Sequence, residues 1–161
     1  MRLIKAKIKS PKDLKNIISR FKRKGKSIAF TNGCFDILHY GHINSLERAK
    51  GLADILVVAI NSDSSIKRIK GKKRPIVKLK ERIKLVAALE AVDFVTFFSQ
   101  DTPLEIIKLL KPDILLKGKD WNKNKVVGKE IVESYGGKVI TLPYLKGKSS
   151  SKLIKKIDKS F

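Results

Sequence analysis

His39 and His42 are the only two histidines in the chain, and both fall in one glycine-punctuated stretch, Phe30-Thr-Asn-Gly-Cys-Phe-Asp-Ile-Leu-His-Tyr-Gly-His42. Imidazoles three positions apart at the start of a helix lie on one side of it and can face the same phosphate. A helix start adds free N–H groups and the positive end of the helix dipole. Gly33 and Gly41 let the backbone approach a ligand closely. Phosphate binding is the chemistry this stretch suits. A second stretch, Gly147-Lys-Ser-Ser-Ser-Lys-Leu-Ile154, offers the hydroxyls of Ser149, Ser150 and Ser151. They read either as a phosphate cradle at a helix start or as an ordinary N-cap with spare serines. Asp36 either orients a bound ligand or closes an Asx-type turn. Cys34 has no partner base in the sequence and reads as a small packed residue, not a nucleophile.

Such groups need strand ends and helix starts to hold them. Residues 27–31 read as a strand and 41–51 as a helix, so the histidines sit where strand hands over to helix. The apolar run 54–60 reads as a buried parallel strand, and the polar, basic stretch 61–74 as a short helix and a mobile loop. Residues 80–91 form a helix with Ile83, Leu85, Val86 and Leu89 available for its inner face. A strand follows at 94–98, then a helix at 103–111 opened by Pro103 and ended by Pro112. A strand at 113–116, a helix at 126–135 stopped by Gly136-Gly137, and a strand at 139–142 come next. A last helix begins near Ser149. Upstream, Ser10 caps a helix with Pro11 at its first position and Asp13 at its third. Leu14, Ile17, Ile18 and Phe21 recur there at helical spacing until Gly25. Alternating strands and helices demand right-handed crossovers. The expectation is an α/β, Rossmann-like parallel sheet with helices on both faces, in a single domain. Residues 1–25 would be an N-terminal helical extension and 27–157 the core that carries these groups. Ligands in such folds bind at the carboxyl ends of the strands.

Composition narrows the partners. The chain has 161 residues, 42% of them hydrophobic, and a single cysteine. That is one globular domain without an internal disulfide framework, expected in the reducing cytoplasm. Its apolar runs are strand-length, too short to span a bilayer, and its start lacks the apolar region of a secretory signal. The net charge is +22, from 37 Lys and Arg against 15 Asp and Glu. Anionic partners are favoured: nucleic acid, a membrane surface or phosphorylated metabolites. The lysines are spread along the whole chain and are not interleaved with aromatics that would stack bases. Most of them therefore read as a solvated surface, with neither a nucleic acid nor a membrane as the expected partner.

His-x-Gly-His after Gly-x-Phe-Asp, on a strand-to-helix junction, resembles the signature of the nucleotidylyltransferase superfamily. The resemblance implies that His39 and His42 contact a triphosphate and stabilise transition-state charge without a covalent enzyme intermediate. Phosphoryl-type transfer does rely on positioning and charge neutralisation more than on covalent help. Gly33, Cys34, Phe35 and Gly41 then belong to the nucleotide side. Ser149, Ser150 and Ser151 match the Ser/Thr-rich motif that binds the triphosphate; where several members carry an Arg just before it, this chain has Lys146 and Lys148. The stretch 61–76 resembles the loop of phosphate-binding lysines, with Lys70 the first choice as a catalytic group and Lys67 and Lys72 close behind. Lys67, Asp36 and Arg82 are the candidates on the acceptor side, a surface ion pair being the other reading of Arg82. In Leu115-Leu-Lys-Gly-Lys-Asp-Trp121, Lys117, Gly118 and Asp120 resemble nucleotide-side residues, and Trp121 shields the base or packs.

Within the superfamily the resemblance runs to the heptose 1-phosphate adenylyltransferases, often the second domain of a heptose kinase/adenylyltransferase fusion. It rests on Phe30-Thr-Asn-Gly-Cys-Phe-Asp, Asn61-Ser-Asp, Lys70-Gly with Arg74-Pro-Ile, Asp101-Thr-Pro, Lys117-Gly-Lys-Asp-Trp and Gly137-Lys-Val. It implies that AMP passes from ATP to D-glycero-D-manno-heptose 1-phosphate, giving ADP-heptose and pyrophosphate, with Mg²⁺. No residue is assigned as a metal ligand. The product would feed lipopolysaccharide core or surface-glycan synthesis. The partners implied are ATP and a sugar 1-phosphate, with a homo-oligomer left open. Glycerol-3-phosphate cytidylyltransferase, with nearly the same first motif, is the alternative. The basic acceptor-binding residue expected there falls near Gln100-Asp101-Thr102, which counts against it. Pantetheine-phosphate and FMN adenylyltransferases are more distant, and a nucleic-acid-binding module rests on charge alone.

Overall fold

Ile55–Asn61 is buried along its whole length, so both of its faces must be covered. In the computed structural model, which describes residues 3–118, 126–143 and 153–154, this strand (β2) lies between β1 (Ile28–Gly33) and β3 (Phe94–Phe98). Beyond β1 follow β4 (Ile114–Gly118) and β5 (Lys138–Leu142), giving the order β3-β2-β1-β4-β5 with all pairs parallel. The α/β expectation of a parallel sheet is met.

Strand residues alternate between two apolar layers. Ile28, Phe30, Val57, Ala59 and Leu115 face one layer; Ala29, Leu56, Val58, Ile60 and Leu116 face the other. On the first face lie α2 (Pro11–Arg23), α6 (Leu104–Leu110) and α7 (Lys129–Ser134), through Leu14, Ile18, Ile106, Ile107, Leu110 and Val132. On the second lie α3 (Tyr40–Lys50) and α5 (Leu79–Ala88), through Leu46, Ala49, Ile83, Val86 and Ala87. Helix α4 (Asp63–Lys70) follows β2 directly and buries Ile66. The N-terminal helix starts as its sequence predicts, with Asp13 N donating to Ser10 Oγ at 3.2 Å. Its Leu14 and Ile18 are fully buried in the first layer, each contributing roughly 1.5–3 kcal/mol.

Several boundaries differ from expectation for local reasons. β1 runs two residues beyond position 31, because Asn32 and Gly33 still pair with Ala59 and Ile60 of β2. Leu85 faces solvent; the inner face of α5 is Arg82, Ile83, Val86 and Ala87. A buried arginine took an inward position that an apolar periodicity assigns only to hydrophobic side chains. α7 begins at Lys129 instead of 126 because Gly128 before it adopts φ 90°. A Cβ there would meet Ile107 Cδ1 at 2.8 Å. Ahead of α2 a short helix, α1 (Ile4–Lys7), leads to Ile8, which bridges Val95 of β3.

At the amino ends of the strands a repeated device joins neighbours. Asp113, just before β4, accepts from Ile28 N at 2.8 Å and pairs with Lys22. Asp93, just before β3, accepts from Leu56 N at 2.8 Å and pairs with Lys50. Asp54, just before β2, accepts from Ser27 N at 2.9 Å and pairs with Lys26. Each carboxylate satisfies an N–H at or next to the start of an adjacent strand and is itself neutralised by a lysine from or just after a helix end. Among the described residues no helix is long and apolar enough to cross a membrane.

Candidate active site

The chain leaves β1 toward β2 and β3, then crosses back to β4 on the other side of β1. The carboxyl ends of β1 and β4 therefore flank a topological switch point, where connections diverge and leave a crevice. Gly33 and Cys34 form one lip and Lys117 and Gly118 the other. Lys117 Nζ donates to Asn32 Oδ1 across the gap. Two clefts open here, sharing Thr31, Asn32, Gly33, Lys117 and Gly118 as walls. The larger, about 430 Å³, extends past Asn61 and Lys70 to Asp101, Thr102 and Pro103 at the start of α6. The smaller, about 190 Å³, runs beneath α3 along Gly41, His42 and Ser45.

The loop from Gly33 to α3 is shaped around one aromatic ring. Phe35 holds φ 48°, and its Cε2 would lie 3.0 Å from a Cβ at Gly33. A larger residue would push that ring aside by a few tenths of an ångström. The same ring rests 5.1 Å from the imidazole of His42. His39 is the N-cap residue of α3, in an extended conformation, and its ring stacks on that of His42 with centroids 3.9 Å apart. The two histidines are thus one unit at the first turn of the helix.

The electrostatics around His42 are those of an anion site. Its pKa is lowered from 6.5 to about 4, by burial first and then by His39 and Lys70. Lys70, the last residue of α4, is thereby close enough to act on the imidazole, and it also lines the larger cleft. His42 Nδ1 is buried and has no hydrogen-bond partner among the described residues. A buried polar atom left without a partner calls for an explanation.

The other expected residues divide. Gly33, Phe35, Gly41, Lys117 and Gly118 line the small cleft, and Cys34, half-buried, lines the large one. Lys67 is exposed and borders neither cleft, and Lys72 is exposed beyond α4. Asp36 is buried and accepts from Arg74 Nε at 2.6 Å, Ile76 N at 2.8 Å and Val77 N at 2.9 Å. The Asx-turn reading is corrected: its partners lie about 40 residues away, and it pins the chain after α4 onto the β1–α3 loop. The surface ion pair considered for Arg82 is corrected too. Arg82 is 0% exposed; it donates to the carbonyls of Cys34, Asn61 and Val77 and to Asp63 Oδ1. It ties the ends of β1 and β2 together, and an acceptor would meet it only through the loops it holds. Asp120, Ser149, Ser150 and Ser151, with Trp121, Lys146 and Lys148, lie outside the described residues.

The sequence reading missed Asn32, Asn61 and Asp101 as cleft residues. A signal existed: each stands at or just past the carboxyl end of a strand, where ligands of this fold class gather. Among the described residues no group of three or more His, Cys, Asp or Glu gathers to hold a metal. The donors at the histidine pair are imidazole, amine and amide. They suit a divalent ion carried on phosphate oxygens and water more than one caged by carboxylates.

A family profile described as cytidylyltransferase-like matches residues 30–156. Two relatives, each named "Bifunctional protein HldE", are similar over nearly the whole chain. That of Trichlorobacter lovleyi is 49% identical over 94% of this chain and 31% of its own length. That of Citrifermentans bemidjiense is 47% identical over 97% of this chain and 32% of its own. The chain thus spans about a third of these relatives. A crystal structure described as the lipopolysaccharide core biosynthesis protein of Thermoplasma volcanium superposes with TM-score 0.63 at 31% identity, covering 77% of this chain and 100% of that one. A pantoate-beta-alanine ligase from Francisella tularensis shares the fold at TM-score 0.62 and 18% identity, covering 89% of this chain and 68% of that one.

Proposed function

The chain belongs to the cytidylyltransferase-like family and is a nucleotidyltransferase, and from that premise we propose that it is an adenylyltransferase acting on D-glycero-D-manno-heptose 1-phosphate. An acceptor phosphate oxygen attacks the α-phosphorus of ATP. A new P–O bond forms there as the bond to the β-phosphate bridging oxygen breaks, giving ADP-heptose and pyrophosphate.

The observation that carries this reading is the stacked His39–His42 pair, at the switch point and within electrostatic reach of Lys70. The triphosphate lies over the first turn of α3, whose N–H groups and dipole favour it. Its negative charge draws a proton onto His42, so that both ring nitrogens donate. His39 and His42 then hold the charge that develops on the α-phosphoryl group and the departing pyrophosphate, and Lys70 neutralises the same charge from across the cleft. Preorganised donors of this kind are commonly the largest contribution to such catalysis. Gly33 and Gly41 permit close approach, while Lys117 and Gly118 border the nucleotide from β4. Asp120 and Ser149, Ser150 and Ser151 complete the nucleotide side. A divalent metal ion, if bound with the triphosphate, would supply further charge neutralisation beside His39, His42 and Lys70. ATP as co-substrate fits a cytoplasmic enzyme, and the nucleotide-sugar product is the donor for a glycosyl transfer that builds a surface glycan.

The test is the initial rate of pyrophosphate release for ATP and CTP, each with heptose 1-phosphate and glycerol 3-phosphate. ATP with heptose 1-phosphate is expected to be fastest. A pocket that hydrogen-bonds one base rejects another because mispaired buried groups are left unsatisfied. Faster turnover of CTP with glycerol 3-phosphate would reassign the chain to the cytidylyltransferase reading. No turnover of any pair, with tight binding to DNA or RNA, would overturn the enzymatic one.

A further inference from the structure

The larger cleft holds one charged group of the wrong sign for a phosphate. Asp101 lines it together with Lys70 and Lys117. Arg68 fixes it, with Nε donating to Asp101 Oδ1 at 2.6 Å while its Nη2 donates to Ser99 O at 2.5 Å. Among the described residues the second carboxylate oxygen of Asp101 accepts no hydrogen bond.

Two amides nearby have orientations that their partners determine. Ser65 Oγ donates its proton to Gln100 O at 2.8 Å, so it must accept from Asn61 Nδ2, 3.0 Å away. That leaves the Asn61 carbonyl oxygen for another donor. Lys117 can only donate, so Asn32 turns its oxygen to it and keeps its NH₂ for an acceptor. The cleft therefore carries two lysines, Lys70 and Lys117, suited to phosphate. It also carries a carboxylate oxygen of Asp101, an amide oxygen of Asn61 and an amide NH₂ of Asn32, which together match several hydroxyls, while the carboxylate repels a second phosphate.

We propose that Asp101, held by Arg68, is the specificity-determining residue for the acceptor, selecting a phosphate ester whose remainder is a neutral polyhydroxylated ring. This rests on the sugar 1-phosphate reading above. The phosphate lies toward Lys70 and the histidines, where it attacks, and the hydroxyls lie toward Asp101. A hydrogen bond to a charged acceptor sets the scale of discrimination at roughly ten- to a hundredfold.

Steady-state kinetics on the full chain with ATP–Mg²⁺ and heptose 1-phosphate test it. Asp101→Ala is expected to raise the KM for the sugar phosphate by roughly ten- to a hundredfold, with kcat and the KM for ATP nearly unchanged. Asp101→Asn, which keeps the shape but loses the charge, is expected to fall between Asp101→Ala and the native chain. Arg68→Ala breaks the same ion pair but leaves the carboxylate, and should raise that KM far less. Equal effects of Asp101→Ala and Arg68→Ala would mean a purely structural role and overturn the proposal. So would an unchanged acceptor KM in Asp101→Ala, or an altered Mg²⁺ requirement in its place. A native chain that turns over no sugar phosphate would sink the underlying reading itself, a different result from turnover indifferent to Asp101.

Discussion

Above about pH 4 the imidazole of His42 is neutral in the unliganded protein, because burial, His39 and Lys70 all oppose its proton. The unfolded chain takes up that proton nearer pH 6.5, so between those values unfolding binds protons. Stability from this group is then lost as pH falls from 6.5 toward 4, and is unaffected above 6.5. Replacing His42 with Gln should flatten the fall in Tm between pH 7 and pH 5; an unchanged slope would deny the buried neutral state. Triphosphate binding reverses the bias, so ATP should bind with proton uptake near pH 5.5. Calorimetry in two buffers of different ionisation enthalpy reads this, and absence of uptake would place the phosphates elsewhere. His39→Ala or His42→Ala should lower kcat by about two to three orders of magnitude, as when one preorganised charge-stabilising group is lost, with a smaller change in ATP affinity. Near-normal turnover in either variant would remove the histidines from the chemistry. The histidine pair was legible because its spacing along one helix start fixes its geometry. Asp36 and Arg82 were not, since their partners lie 19 to 48 residues away along the chain for all but one bond. Composition and periodicity say nothing of such pairings.

Helices and strands were readable to within a few residues because their apolar spacing is the cause of their burial. What spacing could not show is how the elements are fastened. Asp93 satisfies Leu56 N and Lys50 together. Asp93→Ala should cost about 1–3 kcal/mol, the penalty for leaving such groups unpaired. That is a fall in Tm of roughly 2–4 °C for each kcal/mol in a chain of this size, with kcat unchanged. Asp54 is held well below the usual carboxylate range by Lys26 and by Ser27. Its contribution is therefore present above the ordinary carboxylate pKa and is lost as pH falls below it. Gly137, between α7 and β5, leaves no room for a side chain. A Cβ would lie 2.6 Å from Val132 Cγ1 and 2.9 Å from Val132 O. Gly137→Ala should destabilise by about 1–3 kcal/mol, as overpacking does, read by denaturant unfolding. An unshifted midpoint would mean that α7 can move aside freely. Leu85 shows the limit of periodicity from the other side, since an apolar residue at helical spacing yielded the inner face to Arg82.

At the scale of the molecule, the net charge of +22 opposes compactness, because like charges repel across the whole surface. Raising ionic strength from low salt to about 0.15 M, where the Debye length is about 8 Å, should raise Tm and abolish retention on nonspecific DNA. A flat or falling Tm would show the lysines to be already compensated locally. Composition announced this charge but not its arrangement. The fastening aspartates stand at the amino ends of the strands, whereas Asn32, Asn61, Lys117 and the histidines stand at the carboxyl ends. Changes at these aspartates and changes at the cleft residues thus fall at opposite ends of the sheet, and distant, independent changes are close to additive. For an engineer, this separates two jobs: exposed side chains around Asp101 can be recut for new acceptors while the aspartate-fastened end, and the buried Arg82 and Asp36 behind the loops, are left as they are.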